Sequence, residues 1–168
     1  ALTDLMVSDE TFNNFKAQPQ VKRMLGVSDL FQPFADKLKT VSVPWKTMEN
    51  IDQIGNPTNV IDVDSYKISG VCLRYIYYAD KVLNIIANQE NIKIVEIGAG
   101  YGGFCSVFHA LAKHRKIKIS EYAIFDLPTV QRFQDKYFKN TIKESKFGLQ
   151  NISFFDSENL ESFNGNYN

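Results

Sequence analysis

The chain has 168 residues, 44% of them hydrophobic and 23% charged, and its nineteen basic residues balance nineteen acidic ones. That suits one domain, or one domain with an appendage, and excludes a disordered chain. Zero net charge with no Lys/Arg cluster speaks against nucleic-acid binding, and no apolar run reaches the ~18 residues of a membrane span.

The first residues, Ala1-Leu2-Thr3-Asp4, lack the basic start of a signal peptide, so the expected location is cytoplasmic. Residues 1–68 read as a helical appendage. Ser8-Asp9-Glu10 begins a helix that carries Phe12, Phe15 and Lys16 toward a stop at Pro19. Ser28 caps a second helix holding Leu30, Phe31, Phe34 and Leu38, whose regular part starts at Pro33. Pro44-Trp45 opens a third. Isolated helices this short are marginal, so they must lean on the domain that follows. Ile54-Gly55-Asn56-Pro57-Thr58-Asn59 reads as a connecting loop.

The domain proper is expected over residues 69–168. Ser69 caps a helix from Gly70 to Asn88 with two apolar stripes, one through Val71, Tyr75, Tyr78, Val82 and Ile85, the other through Cys72, Ile76, Ala79, Leu83 and Ile86. So wide an arc predicts burial on more than one side. Arg74 within it needs an anion, either a structural ion pair or a ligand carboxylate. Cys72 and Cys105 fall in predicted helices among apolar residues and read as buried free thiols. The only histidines, His109 and His114, are five apart on one helix and so on different faces. They make no zinc pair, and no metal site is expected.

Ile92 to Ile97 is a short β-branched run bounded by glycines, read as a buried parallel strand. Gly98 to Gly103 form a tight turn. Phe104, Cys105, Val107, Phe108, Leu111 and Ala112 then follow helical spacing. Strand, glycine turn and helix together aim backbone N–H groups and a positive helix end at a ligand. Gly98, Gly100 and Gly103 satisfy the dinucleotide pattern G-x-G-x-x-G. Glu96, two residues before the first glycine, fits pyrophosphate poorly and an ammonium or sulfonium well. A second strand, Ser120 to Phe125, ends in Asp126-Leu127-Pro128. Pro128 then enters a helix carrying Val130, Phe133, Tyr137 and Phe138. Residues 140–150 read as a polar loop, Asn151 to Phe155 as a third strand ending at Asp156, and Phe163 to Asn168 as a polar tail. Three β-α steps predict an α/β fold, a Rossmann-like doubly wound parallel sheet of about three strands. Glu96, Asp126 and Asp156 then share the carboxyl ends of neighbouring strands, where such sheets bind ligands. Asp126 is placed to accept from both hydroxyls of a ribose. Asp156 is placed to accept from an adenine amino group. Each Asp also fits a helix cap or a turn.

Val95-Glu96-Ile97-Gly98-Ala99-Gly100-Tyr101-Gly102-Gly103, followed by Ile124-Phe125-Asp126-Leu127-Pro128, resembles the class I S-adenosylmethionine-dependent O-methyltransferases. Ile54-Gly55-Asn56-Pro57 and Leu73-Arg74-Tyr75-Ile76-Tyr77-Tyr78 narrow the resemblance to the sugar O-methyltransferases of bacterial surface-polysaccharide clusters. The likeness runs from Ile54 to Asp156. It implies S-adenosyl-L-methionine as cofactor and a small-molecule or sugar acceptor as partner. Carried over by position, Glu96 and the backbone at Gly98 and Gly100 hold the methionine end, Ala99 and Gly102 belong to the same cofactor-binding turn, and Tyr101 closes over the site. Asp126 holds the ribose, Asp156 lies by the adenine, and Arg74 is a further candidate. Members have seven strands, so the resemblance implies that this chain is the amino-terminal part of a longer protein, inactive alone. The catalytic base stays unassigned and a homo-oligomer stays open. Three alternatives remain: a methyltransferase for another small acceptor such as a phenol, an NAD-dependent oxidoreductase, and a non-catalytic Rossmann-like module.

Overall fold

A computed structural model describes residues 7–25, 32–145, 149 and 151–158. In chain order these form helix α1 (Asp9–Phe12), a 3-10 turn (Phe15–Ala17), α2 (Pro19–Met24), α3 (Gln32–Leu38), α4 (Trp45–Gln53), strands β1 (Val60–Val63) and β2 (Tyr66–Ser69), α5 (Gly70–Ile86), β3 (Ile92–Ile97), α6 (Gly103–His114), β4 (Ile119–Asp126), α7 (Pro128–Ser145) and β5 (Ile152–Asp156). β3, β4 and β5 make a parallel sheet in that spatial order, a partial Rossmann-like α/β arrangement behind a largely helical amino-terminal region. No helix among the described residues is long and apolar enough to cross a membrane.

The register puts Ile94 beside Tyr122 and Ile124 beside Phe154, so these four side chains share one face. α6 packs on that face through Phe108, 5.8 Å from the Tyr122 ring, and His109, 4.9 Å from it. α7 packs on the same face through Phe138, 5.9 Å from Phe154. On the opposite face Val95 is 41% exposed and Ile97 79%. The sequence reads β3 as a buried strand; it is covered on one face only, because both crossover helices lie on the same side. Among the described residues β3 pairs with β4 alone.

Ser69 caps α5 as expected, accepting from the Cys72 N–H at 3.2 Å. The stripe through Cys72, Ile76, Ala79 and Leu83 is buried, but Tyr78 and Ile85 of the other stripe face solvent. Cys72 and Cys105 are buried free thiols. Pro33 lies in the first turn of α3 and Trp45 opens α4. Ser28, Leu30, Phe31 and the tail from Phe163 lie outside the described residues.

Four local expectations are corrected. Pro19 does not stop a helix; it sits in the first turn of α2, where its missing N–H costs nothing. α1 ends at Phe12, and a separate 3-10 turn carries Phe15 and Lys16 inward. β1 and β2 form an antiparallel hairpin inside the region read as wholly helical. Its two-residue turn, Asp64-Ser65, has both φ values positive at 47° and 70°, the primed geometry that suits the strand twist. Finally, α7 runs through to Ser145 instead of breaking near residue 140. Thr141 is buried within it, its hydroxyl satisfied by the Tyr137 carbonyl at 3.0 Å.

The amino-terminal region shares one hydrophobic core with the sheet. The Phe15 ring lies 4.9 Å from Phe133, edge to face, and 5.1 Å from Tyr101. Lys16 is buried beside it and donates to the Asp52 carbonyl at 2.6 Å, with the Asp52 carboxylate at 3.3 Å. That carboxylate also accepts from the Ser69 N–H at 2.6 Å and hydroxyl at 2.8 Å. The start of the chain, α4 and the cap of α5 are therefore tied at one buried point.

Candidate functional site

The turn after β3 continues the sheet for one further bond, Gly98 N–H to the Phe125 carbonyl at 2.8 Å, and then leaves it. Gly98 and Gly100 have φ of 70° and 58°. A Cβ built on either meets no atom within 4 Å, so both border open space. Gly102 and Gly103 differ. A Cβ on Gly102 would lie 2.5 Å from the Phe138 ring, and one on Gly103 would lie 2.4 Å from the Tyr101 ring. The first two glycines leave room for something outside the fold, and the last two make room for the Phe138 and Tyr101 rings. Gly103 begins α6, so its amino-terminal N–H groups follow this open turn.

Three acids end the three strands here. Glu96 accepts from the Tyr122 hydroxyl at 2.7 Å. Burial pushes its carboxyl up to about 7, opposed by that hydrogen bond and assisted by the charge of Asp126. A half-buried carboxylate paired with a neutral hydroxyl is placed to receive a cation. Asp126 is 8% exposed and Asp156 stands directly beside it in register. Asp126 Oδ2 accepts from the Gly100 N–H at 3.1 Å and from Gln134 Nε2 at 2.9 Å, and Oδ1 from the Leu127 N–H at 2.9 Å. Asp156 Oδ1 accepts from the Glu158 N–H at 2.8 Å, an Asx turn. Both Asp residues thus fill a local structural role at the carboxyl ends of their strands. On the far face beside them Phe125 and Phe155 stack with centroids 4.9 Å apart.

Tyr101 does not close over the turn. Its ring is turned into the core, 7% exposed, between Phe15 and Tyr137 and 5.3 Å from the Lys16 ammonium. Ala99 is buried, its carbonyl closing the turn onto the Gly102 N–H at 3.0 Å. Arg74 donates to the Leu25 carbonyl at 2.7 Å and lies over the Tyr75 ring. Tyr75 in turn touches Tyr101 and Phe104, so Arg74 stands one side chain behind the turn. Among the described residues Arg74 has a carbonyl partner in place of the ion pair the sequence offered as one alternative. The two histidines part company as expected: His109 is buried against Tyr122 and His114 bonds the Ser42 hydroxyl at 2.9 Å. No group of three or more potential metal ligands occurs among the described residues.

Two participants were not read from the sequence. Tyr122 faces Glu96 from the next strand. Gln134 is the one polar residue in the α7 stripe Val130, Phe133, Gln134, Tyr137 and Phe138, and that break in an apolar stripe is the signal that marks it. Four grooves away from these acids, one of them between Leu83 and Ser120, are each lined by at most one acid among the described residues. Comparison of the chain with protein-family models, curated proteins and solved structures finds no match in any of the three.

Proposed function

We propose that this chain carries the S-adenosyl-L-methionine site of an O-methyltransferase acting on a sugar hydroxyl. The observation that carries the reading is the open turn at Gly98 and Gly100 set among three strand-tip acids, one of which, Glu96, is half-buried and has no cationic partner among the described residues. S-adenosylmethionine brings an ammonium and a sulfonium for Glu96, ribose hydroxyls for Asp126 and an adenine for the crevice by Asp156. A pyrophosphate would instead meet the carboxylates of Glu96 and Asp126, which disfavours a nicotinamide dinucleotide. The chemistry is in-line attack of an acceptor hydroxyl on the sulfonium methyl, for which this part of the fold supplies orientation. The sugar acceptor rests on the Ile54–Pro57 and Leu73–Tyr78 resemblance.

Gly98→Val and Asp126→Ala test the reading. Both variants should keep their far-ultraviolet circular dichroism and lose S-adenosylhomocysteine binding by at least tenfold. Retained binding in both folded variants would move the ligand away from this turn and favour the non-catalytic module.

A further inference from the structure

We infer that Gln134 is the positioning residue of this site, and that through it Asp126 is restricted to a single ligand hydroxyl. The inference rests on the S-adenosylmethionine reading for the identity of the ligand.

Gln134 is fully buried on α7. Its Nε2 donates to the Gly100 carbonyl at 2.8 Å and to Asp126 Oδ2 at 2.9 Å, which uses both amide hydrogens. The Gly100 N–H donates to the same Oδ2 at 3.1 Å. The Gly100 residue is therefore held at both its N–H and its carbonyl, and a closed ring of three bonds joins the β3 turn, the β4 tip and α7. Chemistry fixes the orientation of the amide. Turned over, Gln134 would set its own oxygen against a carbonyl and a carboxylate.

Gln134 Oε1 has no partner among the described residues. A methionine would fill this stripe without orphaning a polar atom. The orphaned oxygen is a standing cost in stability, so what Gln134 provides is the pair of bonds at its other end.

Those bonds also count out the acceptor capacity of Asp126. A carboxylate offers about four lone-pair positions. Gly100 and Gln134 occupy both on Oδ2, and Leu127 occupies one on Oδ1. One position on Oδ1 remains, enough for one hydroxyl of a ribose. The expectation that Asp126 accepts from both hydroxyls is narrowed accordingly.

The test is calorimetric titration of the full chain with S-adenosylhomocysteine and with its 2′-deoxy and 3′-deoxy analogues, repeated on Gln134→Met. In the wild type one deoxy analogue should bind within about threefold of the parent, and the other should be weaker by on the order of tenfold to a hundredfold, the loss of one bond to a charged acceptor. In Gln134→Met a position on Oδ2 opens and the ratio between the two analogues should fall toward one. Equal weakening of both analogues in the wild type, or an unchanged ratio in the folded variant, would overturn the inference and leave the cofactor reading standing. Failure of the wild type to bind S-adenosylhomocysteine at all is a different result, which removes the reading and the inference together. Gln134→Leu, which also removes the donor and introduces no polar atom, serves as the second variant with the same expected fall in the ratio. Should neither variant fold, the ratio in the wild type decides.

Discussion

At Glu96 the cost of burial and the use of the site meet in one side chain. Its folded-state pKa is raised to about 7 from an ordinary 4.5, first by desolvation. The folded protein therefore holds a proton that the unfolded chain releases. Stability contributed here is present below about pH 4.5, declines as pH rises through the interval to 7, and is level above it. Glu96→Gln removes this slope. The variant should match the wild type at pH 4 and exceed it at pH 8 by on the order of 2 kcal/mol, read from urea midpoints. Ligand binding should run the other way. The ammonium of S-adenosylhomocysteine needs the carboxylate, so wild-type affinity should rise as pH climbs through 7, and Glu96→Gln should be weak and flat. A wild-type affinity independent of pH between 6 and 8 would separate Glu96 from the ligand. The glycines divide in the same spirit. Gly98→Ala meets open space and carries only the positive-φ penalty, roughly 1–2 kcal/mol. Gly102→Ala adds a Cβ 2.5 Å from Phe138 and should cost about 3 kcal/mol or more. Thermal melts of the pair check this ordering.

The elements that hold the glycine turn come from both ends of the sequence. Tyr101 is wedged among Phe15, Tyr75 and Tyr137, and Phe15 is in place because Lys16 is anchored on Asp52. Asp52→Ala would leave the Lys16 ammonium buried without its carboxylate and also free the Ser69 cap. A loss of 3–5 kcal/mol is expected for breaking a buried pair of this kind, measured as a shift in urea midpoint; a change under 1 kcal/mol would show that Lys16 finds water instead. Much of this level was legible in the sequence. β3 is bounded at Ile92 and Ile97 as read, α5 begins at its Ser69 cap, and the acids end their strands, because β-branched runs, caps and glycines act locally. The hairpin was missed because Asp64-Ser65 carries no glycine to announce a primed turn. The helix over residues 140–145 was missed because its polar surface looks like loop, while its one buried hydroxyl bonds within the helix. Tyr101 was misdirected for another reason: its place is fixed by Phe15, some 86 residues away, which no local pattern encodes.

The molecule as a whole is lopsided. Both crossover helices cover one face of the sheet, and the other face at β3 is bare, with Val95 and Ile97 exposed along a strand edge that only β4 pairs among the described residues. That combination invites self-association. Ile97→Lys should leave the melting temperature within about 2 °C, as an exposed substitution does, and should lower the weight-average mass in concentration-dependent sedimentation. An unchanged mass series would clear this edge. Sequence alone marked the turn and the acids but not the bare face, since burial of a β-branched run depends on what lies above it.

The central claim, that Glu96, the open glycine turn and Asp126 form an S-adenosylmethionine site, is tested most directly by titrating the wild-type chain calorimetrically with S-adenosylhomocysteine and, in parallel, with NAD. Saturable binding of S-adenosylhomocysteine and none of NAD is expected. Saturable binding of NAD alone would contradict it.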